Sequence, residues 1–373
     1  MSKSFKIPND FNIYSALSTG KVSDSALTGL FLQRGIILSN KTSRESKADY
    51  FSSFMHGYYD FEKISSQHSK IDRVEYTSPL SLEMSLSFSD LTTITTDLVK
   101  CLEKNFSNIQ LKDVEPDYNI NDDIFYITFD YEKFHPEKQM FAQLENKKAI
   151  LTFKKDKINN EYYVEYPATP EMIKWSTSIL GLLQNHDVNM KINSIDLTGL
   201  TDPSLYWQFF DELTNTFDNY KRTNVVEVLF KDPNKDDNAE DEGIYQLISA
   251  TYKGNQLHLS EDFQARLSDG YLLHKFTWDC IDTTNTKSDK FRLSIKVTYD
   301  EDGSSHFSFI SKGFYKFIKG KHSKSITSLS HLEDNIFNKA IFKNGIALIN
   351  SLTTLPKINI KSENIPAPKT KDA

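Results

Sequence analysis

Between Ser311 and Ser325 the chain places Lys312, Lys316, Lys319, Lys321 and Lys324 with no carboxylate among them. Phe314, Tyr315 and Phe317 are interleaved with these lysines, and Gly313 and Gly320 loosen the backbone. Ammonium groups beside aromatic rings suit a nucleic-acid strand, because the charges pair with phosphates while the rings stack on bases. The same run also reads as an edge strand whose lysines discourage unwanted pairing and whose rings turn inward. The first reading sets the five lysines, with Phe314 and Tyr315, against a polyanion.

A second constellation would do different chemistry. Divalent-metal nucleases of the restriction type need an Asp near the end of one strand and a Glu-x-Lys on the next. The carboxylates hold a cation and the lysine steadies the attacking water. Asp130 with Glu145-Asn146-Lys147 has that spacing, although Glu145 and Lys147 fall ahead of the apolar run Ala149–Phe153 instead of within it. Asp130, Glu132 and His135, just before Pro136, also read simply as a polar connection.

Other chemistries find no pattern. The histidines show neither HxH nor HExxH spacing, and no GxSxG, GxxxxGK[ST] or GxGxxG occurs. His274 falls on an apolar strand face and reads as a core residue, whereas His322 belongs to the basic run. The acidic stretch from Asp232 to Glu242 lacks the glycine and terminal glutamate of an EF-hand loop and reads as a solvated loop. No cofactor and no metal site is read.

Near the N-terminus, Asp24 can cap a helix bearing Leu27, Leu30 and Phe31. Gly35 after Arg34 suits a left-handed helix end, and Ile36, Ile37 and Leu38 are extended. Thr42 and Glu45 have capping-box spacing ahead of a second helix with Phe51, Phe54 and Met55. Leu27, Leu30, Arg34, Gly35, Ile36, Ser39 and Lys41 give residues 24–56 a resemblance to SAP-like helix-extended-loop-helix DNA-binding motifs. The link is a few residues longer than that pattern. The resemblance implies phosphate contacts from Arg34, Lys41, Arg44 and Lys47, in a field weakened by Glu45 and Asp49.

The bulk numbers bound these readings. The chain has 373 residues, enough for two or three domains, and 38% hydrophobic content can fill their cores. Net charge is −7, so any nucleic-acid contact has to come from a local patch. Two distant cysteines, Cys101 and Cys280, suit a reducing cytoplasm, and no signal peptide or membrane span is read.

The elements that must position these residues divide as follows. Residues 1–115 read as a helical N-terminal domain, with a clear helix from Ser89 to Asn105. The polar stretch 113–122 reads as its boundary. Residues 116–231 read as a central α+β domain with a mixed sheet. It holds a strand at Ile124–Phe129, a hairpin of Ala149–Phe153 and Glu161–Tyr166 about Asn159-Asn160, an alternating run from Val188, and helices opened by Thr169-Pro170 and by Thr201 or Asp202 ahead of Pro203. After the acidic loop 232–243, residues 244–355 read as antiparallel hairpins with a closing helix that starts at the Ser330/Glu333 box. Gly345 is expected to end or kink that helix, and residues 356–373 read as a disordered tail. The fold class is α+β. The expected role is a non-catalytic, DNA- or RNA-binding or protein-binding component of a larger cytoplasmic assembly, with a divalent-metal nuclease or a structural adaptor as alternatives.

Overall fold

The computed structural model describes residues 8–68, 75–105, 109–119, 123–135, 140–156, 161–200, 202–231, 249–285, 287–299 and 303–354. The expected acidic loop, Asn159-Asn160 and the expected tail lie outside them. The chain is α+β, and it divides into two compact units, Met1–Thr77 with Ser81–Ile192, and Ser78–Leu80 with Asn193–Ala373. Among the described residues no helix is long and apolar enough to cross a membrane.

The first unit begins with four helices: α1 (Asp10–Ser18), α2 (Asp24–Gln33), α3 (Arg44–Ser52) and α4 (Tyr58–His68). The caps of α2 and α3 are each one residue from the expected ones. Ser23, not Asp24, accepts from the Ala26 N–H, and Ser43, not Thr42, accepts from the Ser46 N–H. In each case the serine is the last residue with extended ψ, which is what the cap position requires. Gly35 has φ +71° and closes α2 as expected. Leu17, Leu27, Phe31, Ala48 and Phe51 form a buried apolar cluster between the helices.

Strand β1 (Thr77–Glu83) was not legible in a region that reads as helical. Helix α5 (Phe88–Asn105) is opened by Ser87, whose hydroxyl and N–H both donate to Asp90. Then come β2 (Ile109–Asn119), β3 (Ile124–Phe134), β4 (Leu144–Asp156) and β5 (Glu161–Pro167), an antiparallel meander in that order. The expected boundary at 115/116 therefore falls inside β2. Its exposed, polar pattern resembles a linker because β2 is an outer strand, paired with β3 alone among the described residues, and Pro116 is tolerated on such an edge. Helix α6 (Pro170–His186), capped by Thr169, buries Met172, Trp175 and Ile179. Only Lys191–Ser194 of the expected run from Val188 is strand (β6).

The second unit holds α7 (Pro203–Asn215), β7 (Thr216–Phe217), β8 (Tyr220–Lys231), β9 (Ser249–Lys253), α8 (Glu261–Ser268), β10 (Leu272–Asp282), β11 (Lys290–Tyr299), β12 (Ser305–Tyr315), β13 (Phe317–Ile318), β14 (Lys321–His322) and α9 (His331–Thr354). Its strands run β12-β11-β10-β8-β7, with β9 also on β8, all antiparallel. One face is core: Val225, Val228, Phe276, Trp278, Cys280, Leu293, Ile295 and Val297 are fully buried. Burying a side chain of that size is worth about 2 kcal/mol each, which fixes the register. The opposite face carries the polar alternates. Helix α9 opens at the expected Ser330/Glu333 box. It runs through Gly345 unbroken, contrary to the expected kink. A Cβ there would meet Ile195 Cδ1 at 2.4 Å, so this glycine serves close packing, not a bend.

Candidate functional site

The polar face of the second unit's sheet holds a cleft of about 740 Å³, lined by Val226, Glu227, Lys253, Gly254, Asn255, Thr277, Arg292, Lys312, Tyr315 and Ile326. Strand alternation sends every second residue of β8, β10, β11 and β12 to this face. Two bulges sharpen it. Val226 is the unpaired residue between Val225↔Trp278 and Glu227↔Thr277, and its carbonyl accepts from Gly254 N–H at 3.0 Å. Lys312 is the unpaired residue between Arg292↔Gly313 and Leu293↔Ser311. A bulge bends its strand and re-aims side chains, which brings Lys312 over the cleft.

Gly313 makes the adjoining wall possible. Its φ is +126°, and a Cβ would lie 2.3 Å from the Thr327 carbonyl oxygen. Only glycine allows the returning chain so close. There Phe314 N–H donates to Thr327 O at 2.9 Å and Thr327 N–H to Phe314 O at 2.8 Å, which sets Ile326 at the rim.

The charges form two groups. At one end Glu227 meets Lys275 Nζ at 2.8 Å, and Lys253 and Lys312 at 3.6 Å each. Burial alone would push its carboxyl up, but the Lys275 hydrogen bond and the three ammonium charges outweigh that and hold it below the usual range. At the other end Asp279, 1% exposed, takes both Arg292 nitrogens at 2.7 and 3.1 Å and Lys290 Nζ at 3.2 Å. Both cations also lie against the Tyr315 ring, with Lys290 at 4.6 Å and Arg292 at 5.0 Å from its centre. Thr277 and Ser294 share a hydrogen bond of 2.7 Å on the floor.

Cations exceed carboxylates here. Lys253, Lys275, Lys290, Arg292 and Lys312 surround Glu227 and Asp279, and Lys296 lies on the same face next to Lys275. Lys275 stands directly opposite Lys296 across β10 and β11. Like charges directly opposite are destabilising. Burial first, then the neighbouring Lys231 and Lys275, push the Lys296 ammonium below its ordinary value. Lys296 makes no ion pair among the described residues. Burial, then Lys275, lowers Lys312 in the same way.

The basic run is thus divided. Lys312 and Tyr315 enter the cleft. Phe314 turns to the other face, its ring 6.1 Å from Phe291, so it does not share a surface with Tyr315. Lys316, Lys319, Lys321 and Lys324 are exposed. Lys319 (φ +49°) and Gly320 (φ +84°) form the two-residue turn between β13 and β14, a defined hairpin where loose backbone was expected. Phe317 packs on His322 at 5.3 Å.

In the N-terminal helices two expected phosphate ligands are engaged internally. Arg34 donates to Met55 O and to Asp60, both at 2.8 Å, and lies over the Phe51 and Phe54 rings. Arg44 donates to Leu17 O, Thr19 O and Val22 O and pairs with Asp24 at 2.8 Å. Lys41 is exposed and Lys47 half-buried.

The nuclease constellation is not assembled by its three residues. Glu145 and Lys147 lie within β4 after all, where Lys147 pairs with Tyr131 and Glu145 with Lys133. Asp130 pairs with Lys148 and so faces the other side of the sheet. Glu145 instead meets His135 at 3.1 Å. Among the described residues no group of three or more His, Cys, Asp or Glu could hold a metal ion.

Lys253, Lys275, Lys290, Arg292, Lys296, Glu227 and Asp279 had not been singled out. They come from four strands, each at an ordinary alternate position. One signal was available: Lys290, Arg292, Ser294, Lys296 and Thr298, the polar alternates of β11, include no acid. No protein-family model matches the chain, and no curated protein matches its sequence.

Proposed function

We propose that this chain is a non-catalytic binding protein whose second unit takes a nucleic acid in the cleft of its sheet. The observation that carries the reading is the unshared cation: Lys296 sits half-buried opposite Lys275 and makes no ion pair among the described residues. A phosphate would relieve that repulsion, and so a polyanion completes the site. The hairpin lysines Lys316, Lys319, Lys321 and Lys324 supply exposed charge next in sequence to Tyr315. We place the protein in the cytoplasm, in keeping with the free, buried thiol of Cys280.

The test is binding of labelled oligonucleotides across a salt series. Affinity should fall steeply with salt. The charge reversals Lys316→Glu, Lys319→Glu and Lys321→Glu together should weaken it without abolishing it, because the cleft cations remain. Weak binding that ignores both salt and these changes would remove the proposal.

A protein partner is a second reading, favoured by exposed apolar groups on α4 and in the connections between the N-terminal helices. Ile37 (86%), Met55 (94%) and Tyr59 (75%) are open to solvent. Such residues mark association surfaces when they gather. Ile37→Asp with Met55→Asp should then release a co-purifying partner and leave oligonucleotide affinity unchanged; retention of the partner would count against it.

A further inference from the structure

We infer that the cleft selects a single nucleic-acid strand over a duplex and holds one base against Tyr315, an inference that rests on the polyanion reading above. The cations are recessed. Lys275, Arg292 and Lys312 have only 23%, 25% and 31% of their side chains exposed. A duplex carries its phosphates on the outside of a stiff rod, with a persistence length of about 50 nm, and cannot bend them into a cleft on this scale. A single strand can, because its backbone turns freely and its bases are unstacked.

The cleft's two ends differ in the way such a strand requires. The Glu227 end gathers three ammonium groups, Lys253, Lys275 and Lys312, around one carboxylate, an excess of positive charge that suits a phosphate. The Asp279 end offers a planar guanidinium, Arg292, beside the Tyr315 ring, which suits the face of a base. Ile326 and Val226 add apolar wall, and the Asn255 amide is steadied by Asn224 at 3.1 Å. A simple inorganic polyanion could use the cations of both ends but has no use for the Tyr315 ring.

Fluorescence anisotropy with a labelled oligothymidine strand, the same strand in duplex, and polyphosphate as competitor tests this. The single strand should bind at least ten times more tightly than the duplex. Tyr315→Ala should weaken it by roughly tenfold, the scale of a lost base–aromatic stack. The same change should leave polyphosphate competition with native strength, and Tyr315→Phe should retain single-strand affinity. Equal or tighter duplex binding overturns the inference, as does an equal effect of Tyr315→Ala on polyphosphate. The strand-to-duplex ratio on the native chain decides even where Tyr315→Ala fails to fold. Absence of binding by all three ligands, polyphosphate included, instead removes the underlying polyanion reading.

Discussion

Lys296→Glu is expected to raise the stability of the protein and to lower its affinity for polyanions at least tenfold. Lys296 lies across from Lys275 on the polar face, and an opposite charge there converts a cross-strand repulsion into a pair. Such pairs contribute roughly 0.2–1 kcal/mol, and removing the repulsion adds a similar amount. Lys275 already holds Glu227 at 2.8 Å, so the gain sits at the lower end of that range. On the polyanion reading the loss of affinity arises from the same exchange, since one cation of this face goes and a carboxylate replaces it. A group kept for packing would behave otherwise, with stability falling and binding following only through unfolding. Urea titration beside oligonucleotide binding separates the two. A destabilised variant that binds normally would mean that Lys296 serves the fold.

Asp279→Ala should be the most damaging single change to this face. Asp279 is 1% exposed and holds Arg292 by two hydrogen bonds and Lys290 by an ion pair at 3.2 Å. Removing one partner of a buried ion pair costs about 3–5 kcal/mol, because the remaining charges lose their compensation. Arg292 and Lys290 are about a quarter exposed and can turn to water, which places the expected loss near 3 kcal/mol. Asp279→Asn keeps an acceptor for Arg292 and should recover part of it. A shift below about 1 kcal/mol in urea would show that the triad is replaceable by solvent.

How much of this was legible depended on whether the signal was local. The β11–β12 hairpin, the helix starts at Pro170 and Pro203 and the Ser330/Glu333 box were readable because period and cap chemistry sit within a few residues. Strand β2 was not, since a one-sided polar strand has the composition of a linker. Gly345 was misread because its reason lies at Ile195, far away in sequence. The site followed the same rule. Lys312 and Tyr315 were visible in a dense basic run. The cross-strand partners that make a cleft of them, Glu227, Lys275, Arg292 and Lys296, meet only through register. Phe314 and Tyr315 looked equivalent as neighbours, yet alternation sends them to opposite faces.

The central claim is that the recessed cations of this sheet face take up phosphates. It is tested most directly by the slope of log affinity against log salt for a single-stranded oligonucleotide, on the native chain and on Lys253→Gln with Lys312→Gln. With about four cations engaged, the native slope should be near −3, and the double variant should flatten it by about 1.4. A native slope near zero, or one that the double variant leaves unchanged, would contradict the account.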